Sequence, residues 1–392
     1  MDFSLSSEQK LIFDTAYDFG QNSIAPYALE WENSLIPKKI LKEAGELGFA
    51  SLYVNEKDGG SGLTRLDSTL VFEALAMACP SVSSFISIHN MCAWMISENG
   101  NQYIKNEFLE PMIKMDKICS YCLTEPNSGS DSAALTTKAE RTNEGFKVNG
   151  TKSFISGGAF SEIYLTMVRT GENGPHGISA LLVEKNTPGL SFGNNEEKMG
   201  WKSQPTAQVI FDDCHVSSEK LLGEENKGFI YAMQGLDGGR LNIAAAALGG
   251  AQTALNIAKK YIKERKAFGK SLSEFQGLQF KVADMEIAIN SSRTFLREAA
   301  WKLDNAKSDA GVYCAMAKKF VTDNSFNIAN NSLQLLGGYG YLADYGIEKI
   351  VRDLRVHQIL EGTNEIMQLI VARDSLKSVS YTHLTLPTIV RV

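Results

Sequence analysis

The chain reads as an α+β protein in three consecutive parts: an N-terminal helical domain over residues 1–118, a small antiparallel β-domain over 119–225 and a C-terminal four-helix bundle over 226–377. Three observations predict this. Apolar residues recur at helical spacing up to about residue 118. Near residue 119 the pattern switches to short strand-like runs split by Gly and Asn. From Gly228 long Ala/Leu-rich helical periods return.

In the first part, Ser6-Ser7-Glu8-Gln9 precedes a run with Leu11, Ile12, Ala16, Phe19 and Ile24 at helical spacing, punctuated by Pro26 and Pro37. A short helix over 41–47 stops at Gly48, and helices are expected over 66–79, 81–99 and 101–114. Between them, Asn55 to Gly62 is a glycine-containing loop without the spacing of a phosphate cradle. In the second part, strands are expected at 146–148, 162–168, 178–183 and 208–211, separated by Asn149-Gly150 and Pro188-Gly189. In the third, helices are expected over 228–264, 275–303, 309–335 and 345–357; small residues over 241–257 allow close helix contact. Ser378-Val379-Ser380-Tyr381-Thr382-His383-Leu384 opens a stretch that reads as translated adapter sequence. Residues 378–392 are therefore set aside as a non-native tail.

With a net charge of −6 there is no basic surplus for nucleic acid or an anionic membrane, and no apolar run reaches the length of a bilayer span. The first nine residues carry acids and no Arg, so neither a signal nor a transit peptide is expected there. Six scattered cysteines include Cys119 and Cys122 at C-x-x-C spacing, but no second pair or His cluster completes a metal site. Buried, reduced thiols and no metal are expected.

Three motifs carry chemistry. Glu361 lies between the apolar Ile359-Leu360 and Gly362-Thr363-Asn364, where Thr-Asn can cap the helix that follows. This is either a surface carboxylate on a loop or a partly desolvated one suited to proton abstraction. The loop from Cys122 to Asp131 is an ordinary turn or a set of backbone N–H groups open to a ligand's oxygens. The run Gln334-Leu335-Leu336-Gly337-Gly338-Tyr339-Gly340 is a helix C-cap or a place where backbone approaches something large.

Together the Leu123-Thr124-Glu125-Pro126 loop with Gly129-Ser130-Asp131, the Gln-x-x-Gly-Gly-x-Gly run with downstream Asp344, Lys349 and Asp353, and Glu361-Gly362-Thr363-Asn364 resemble the acyl-CoA dehydrogenase family over about residues 3–376. Within it, the stretches 200–206 and 357–362 are most similar to members that act on short branched acyl groups. The resemblance implies non-covalent FAD, oxidation of the Cα–Cβ bond of an acyl-CoA thioester, and electrons passed to electron-transfer flavoprotein. Glu361 aligns with the base that removes the α proton while the β hydrogen leaves as hydride to flavin N5. Some members carry the base at the position of Gly239, which cannot serve here.

For FAD, the resemblance points to Tyr121, Cys122, Leu123, Thr124, Glu125, Pro126, Asn127, Ser128, Gly129 and Ser130, then Phe154, Ile155 and Ser156, and Thr363, Asn364 and Glu365. A neighbouring subunit is expected to contribute Arg265, Phe268, Gln276 and Gln334, Leu335, Leu336, Gly337 and Gly338, which implies at least a dimer, with a dimer of dimers typical of the family. For the acyl-CoA, it points to Ser130, Asp237, Gly238, Gly239, Arg240 and Arg373, although Asp237 and Arg240 at i and i+3 can equally pair with each other. Phe85, Met91, Trp94 and Leu360 are candidates to shape the acyl pocket. The family's setting is the mitochondrial matrix in a eukaryote and the cytoplasm in a bacterium. Other readings on the same fold are a short-chain or 2-methylbutyryl-CoA dehydrogenase, an acyl-CoA oxidase and a non-catalytic flavin- or acyl-CoA-binding assembly factor.

Overall fold

A computed structural model describes residues 4–377, so the adapter-like tail lies outside the described residues. Helix α1 (Ser7–Phe19) begins on a capping box: Ser6 Oγ accepts from the Gln9 N–H and Gln9 Oε1 from the Ser6 N–H, both at 3.1 Å. Then come α2 (Trp31–Ser34), α3 (Lys38–Glu46), α4 (Arg65–Ala78), α5 (Pro80–Asn99), α6 (Gln102–Ile104) and α7 (Glu110–Ile113). Thr64 and Asp67 cap α4 in the same reciprocal way, and Pro80 occupies the first position of α5, where its missing N–H costs nothing.

The β-domain is one eight-stranded sheet. Its strands are β1 (Cys119–Cys122), β2 (Lys138–Arg141), β3 (Gly145–Ser156), β4 (Ile163–Arg169), β5 (Ile178–Glu184), β6 (Leu190–Phe192), β7 (Thr206–Ser217) and β8 (Leu221–Leu222). The order is β6-β7-β3-β2-β4-β5-β8, with β1 attached to β4. Most neighbours are antiparallel, as expected, but β1 runs parallel to β4 (Cys119 opposite Ile163) and β2 touches β4 in parallel at Lys138–Arg169. A parallel neighbour arrives by a crossover, which strand alternation does not encode.

The third part comprises α8 (Gly228–Glu264), a two-residue hairpin β9 (Lys266–Ala267) and β10 (Lys270–Ser271), α9 (Gln276–Asp304), α10 (Ala310–Leu336), α11 (Ile347–Arg355) and α12 (Asn364–Ser375). These helices share one core with the N-terminal part: Val71, Phe72 and Leu75 of α4 belong to the same buried cluster as Leu248, Ala251 and Leu296. The small residues of α8 make the approach possible. A Cβ on Gly249 would lie 2.1 Å from the carbonyl oxygen of Glu73, so α4 backbone runs directly against α8. Gly249→Ala is expected to cost about 1–3 kcal/mol in denaturant unfolding. Gly277→Ala, at a helical glycine whose Cβ would meet nothing within 4 Å, is the control. Among the described residues no helix is long and apolar enough to cross a membrane, and no cluster of His, Cys, Asp or Glu could hold a metal ion. All six cysteines are free and buried.

Candidate active site

Glu361 sits where the chain leaves α11. A short 3-10 turn (Val356–Gln358) ends, Glu361 takes a left-handed φ of 58° and Gly362 one of 88°, and Thr363 Oγ1 caps α12 by accepting from the Ile366 N–H at 3.3 Å. A left-handed glutamate costs on the order of 1–3 kcal/mol and persists only where its surroundings enforce it. The residue is half-buried, and its Oε2 is sealed from solvent with no hydrogen-bond partner. Burial pushes the carboxyl up to about 7, against the pull of the Arg240 and Lys318 cations.

Gly239, the other position considered for a base, faces this carboxylate. A Cβ there would lie 2.5 Å from Glu361 Oε2. Gly239 is thus the space that Glu361 fills. Arg240 donates from Nε to the Glu361 carbonyl oxygen at 3.4 Å and from Nη1 to Asp237 Oδ1 at 2.5 Å. The i, i+3 pair forms, and Arg240 also ties α8 to the turn.

Glu361 lines a cavity of about 360 Å³. Its β-domain wall is Tyr121, Leu123, Thr124, Gly129, Ser130, Phe154, Ile155 and Ser156; its helical wall includes Met91, Met233, Leu236, Arg240, Ile243 and Leu360. Of the four residues expected to shape a pocket, Met91 and Leu360 line it. Phe85 packs edge-on against Phe160 instead. Trp94 lines a second cavity of about 550 Å³, with Tyr53, Arg65, Asp304 and the neighbouring α8 positions Gln234 and Asp237. There the Arg65 guanidinium lies 3.6 Å from the Tyr53 ring centroid, and Gly238 is pressed against it, a Cβ being 2.2 Å from Arg65 Nη1.

Other expected site residues are engaged elsewhere. Cys122 points into the sheet core. The Glu125 carboxylate turns inward: it accepts from Lys152 Nζ at 2.8 Å and from the backbone N–H groups of Thr136 and Thr137 at 2.6 and 2.8 Å. Although burial pushes its pKa up, Lys152 and these donors hold it down to about 2. Ser128 Oγ donates to the Asp131 carbonyl and shapes the loop. Asn364 bonds Lys318, and Arg373 is exposed near the end of α12. Pro126, Asn127, Thr363, Glu365 and Gln276 are not among the cavity-lining residues. Arg265 stacks over the Tyr339 ring at 5.6 Å, which brings the start of the hairpin to the glycine run after α10, away from the cavity. Gly337 takes a positive φ of 59° as the C-cap of α10.

Sequence reasoning passed over Trp201 and His357 as site residues. Trp201 lines the cavity, and its Nε1–H donates to His357 Nε2 at 3.2 Å, so the other ring nitrogen donates to the Ile243 carbonyl at 3.1 Å. Burial pushes the His357 pKa down to about 3, leaving a neutral spacer. The signal is in the sequence: Trp201 and His357 lie in the two stretches, 200–206 and 357–362, that resemble one branch of a family.

The residues at the cavity fit FAD. Two buried polar atoms on its wall, Tyr121 Oη and Glu361 Oε2, lack partners, Phe154 presents a 69% exposed ring at a left-handed φ of 59°, and nothing lies within 4 Å of a Cβ on Gly129.

Three family models match in order: acyl-CoA dehydrogenase N-terminal domain over residues 6–116, middle domain over 120–214 and C-terminal domain over 226–376. The chain is 51% identical over 375 residues to the mitochondrial isobutyryl-CoA dehydrogenase of Dictyostelium discoideum, covering 95% of this chain and 90% of that one. It is 48% identical over 374 residues to the Bos taurus mitochondrial isobutyryl-CoA dehydrogenase, with the same coverage. Among solved structures it matches, at TM-score 0.94 and 38% identity, one described as the electron transferring flavoprotein of Acidaminococcus fermentans, covering 96% of this chain and 100% of that one. Fold and site together make this protein an FAD-dependent oxidoreductase. The chain belongs to the acyl-CoA dehydrogenase family.

Proposed function

We propose that the protein oxidises isobutyryl-CoA to methacrylyl-CoA, the step of valine breakdown, with Glu361 as the base. The observation that carries this reading is Glu361 on the wall of a largely apolar cavity, with its Oε2 buried and unpartnered. The α C–H of a thioester is a very weak acid, so a carboxylate removes its proton only where the developing enolate charge is met by preorganised donors. One such donor, as the family resemblance implies, is the backbone N–H of Glu361. The carboxylate takes the α proton, and the Cα–H electron pair becomes the new Cα–Cβ double bond as the β hydrogen departs with its pair. FAD, when bound, supplies the two-electron acceptor. Thr124, Ser130 and Ser156 offer polar contacts to the flavin or thioester, and Asp237 and Arg240 hold the helix beside the acyl-CoA arm.

Identity of about half to two isobutyryl-CoA dehydrogenases supports the branched substrate. The nearby electron transferring flavoprotein structure supports an electron-transfer flavoprotein as acceptor. The exposed Phe268, with Arg265 and the glycine run on one surface, supports a flavin site completed by a neighbouring subunit in a homo-oligomer. The mitochondrial relatives support the matrix if the source is eukaryotic; a bacterial enzyme would work in the cytoplasm.

Steady-state rates with isobutyryl-, 2-methylbutyryl- and butyryl-CoA test the substrate. One methyl or methylene is worth about 1–3 kcal/mol, so isobutyryl-CoA is expected to lead in kcat/KM by roughly 10–200-fold. A lead for butyryl-CoA would make the protein a short-chain enzyme. Because the Glu361 pKa is raised, the carboxyl is protonated and idle in acid, and kcat/KM should rise with pH through about 7. A rate limb near 4.5, the ordinary glutamate value, would contradict a raised Glu361 carboxyl.

A further inference from the structure

Helix α10 grips the Glu361 turn from beneath. Lys318, with no exposed surface, donates from Nζ to the Gly362 carbonyl at 2.9 Å and to Asn364 Oδ1 at 2.8 Å. Asn364 Nδ2 in turn donates to Thr322 Oγ1 at 3.0 Å and to Asp323 Oδ1 at 2.7 Å. Gln358, three residues before Glu361, donates to the same Asp323 oxygen at 2.7 Å. Both flanks of the left-handed residue are therefore tied to one helix.

A buried ammonium is costly unless paired, and among the described residues Lys318 has no carboxylate within ion-pair distance. Its direct acceptors are a carbonyl and an amide, both neutral. A methionine would fill similar volume without that cost, so holding the backbone alone does not account for a cation here. The charged and titratable groups around Glu361 are Arg240 with its partner Asp237 on α8, Lys318 and Asp323 on α10, Glu365 on α12, Tyr121 on β1, Cys92 on α5 and Tyr53 before α4. Arg240 is already matched by Asp237 at 2.5 Å. Lys318 is the cation beside the base without an acid of its own, and burial lowers its own pKa to about 8, against the pull of Glu361.

We infer that Lys318 is a positioning residue for proton abstraction: it fixes the turn through the Gly362 carbonyl and Asn364, and its charge favours the ionised form of the Glu361 carboxylate. This rests on Glu361 being the base. The test compares Lys318→Met, which removes charge and donor, with Lys318→Gln, which removes charge but keeps a donor for the Gly362 carbonyl. The Glu361 carboxyl is titrated by infrared difference spectroscopy in FAD-loaded protein without substrate, its band assigned by loss in Glu361→Gln. Removing the positive charge destabilises the carboxylate, so in both variants the midpoint should move alkaline by about one pH unit, a tenfold change in ionised fraction. The limb of kcat/KM should move with it, while the KM for acyl-CoA changes less than about threefold. If Lys318→Met fails to fold, Lys318→Gln alone decides. An unmoved midpoint in a folded variant, with activity falling equally at every pH, overturns the inference and leaves Lys318 a structural residue. An inactive wild type whose carboxyl midpoint shifts as stated would fault the reaction proposed above, not the role of Lys318.

Discussion

Glu361→Gln is expected to lower acyl-CoA oxidation by about 10²–10⁴-fold while the protein folds, binds FAD and binds acyl-CoA. The substitution is close to isosteric, and Oε2 has no hydrogen bond to lose. The packing of Gly239 against this group is preserved because no heavy atom is added. Stability should change in the opposite sense to activity. A carboxyl whose pKa is raised from 4.5 to about 7 makes the native state hold its proton more tightly than the unfolded chain, so stability falls as pH rises through that window. A neutral amide removes this penalty, and above pH 7 the variant should melt at the same temperature as wild type or higher. Rapid mixing for activity and thermal melts at pH 6 and 8 check both halves. A variant that keeps more than a tenth of wild-type activity would remove Glu361 from the chemistry.

The largest expected loss of stability lies in the β-domain. Lys152 and Glu125 form an ion pair at 2.8 Å with 0% and 4% of their side chains exposed. Lys152 Nζ also donates to the Leu123 carbonyl at 3.0 Å, so the pair braces the loop that forms the flavin-side wall. Lys152→Met leaves a carboxylate buried without its cation, which typically costs about 3–5 kcal/mol, because the uncompensated charge is worse than no pair at all. FAD should be lost with the loop. Removing both partners, Lys152→Met with Glu125→Leu, should recover part of the stability. The pH sign is opposite to that of Glu361. The folded Glu125 pKa is lowered from 4.5 to about 2, so the pair's contribution is present above 4.5 and fades as pH falls toward 2. Denaturant unfolding at pH 7 and flavin absorbance after gel filtration check this. A single variant within about 1 kcal/mol of wild type would mean the carboxylate finds another partner or turns to solvent.

The parts of the site that are local in sequence were legible in sequence. Gly362 after Glu361 announces a turn, Thr363 announces a cap, and Asp237 with Arg240 at helical spacing announces a pair; all three occur. The helical, β and helical succession follows from periodicity in the same way. What was not legible joins distant segments. The sequence places Glu125 in the flavin loop, and its carboxylate is taken by Lys152, 27 positions away on β3. Lys318 lies 44 positions before Gly362 in an ordinary helical period, and nothing in that period marks it as the support of the turn. Gly239 looked only like a lost base, whereas its missing side chain is room for Glu361. The parallel placement of β1 on β4 depends on a crossover through the loop that carries the site.

The central claim is that Glu361 and bound FAD oxidise a branched acyl-CoA. Its most direct measurement is anaerobic mixing of FAD-loaded protein with isobutyryl-CoA, following the flavin's visible absorbance and identifying the acyl product. Bleaching in a single exponential with methacrylyl-CoA formed, and none in Glu361→Gln, is the expected result. FAD that stays oxidised with isobutyryl-, 2-methylbutyryl- and butyryl-CoA alike would contradict it, and would leave a flavin protein that binds acyl-CoA without oxidising it.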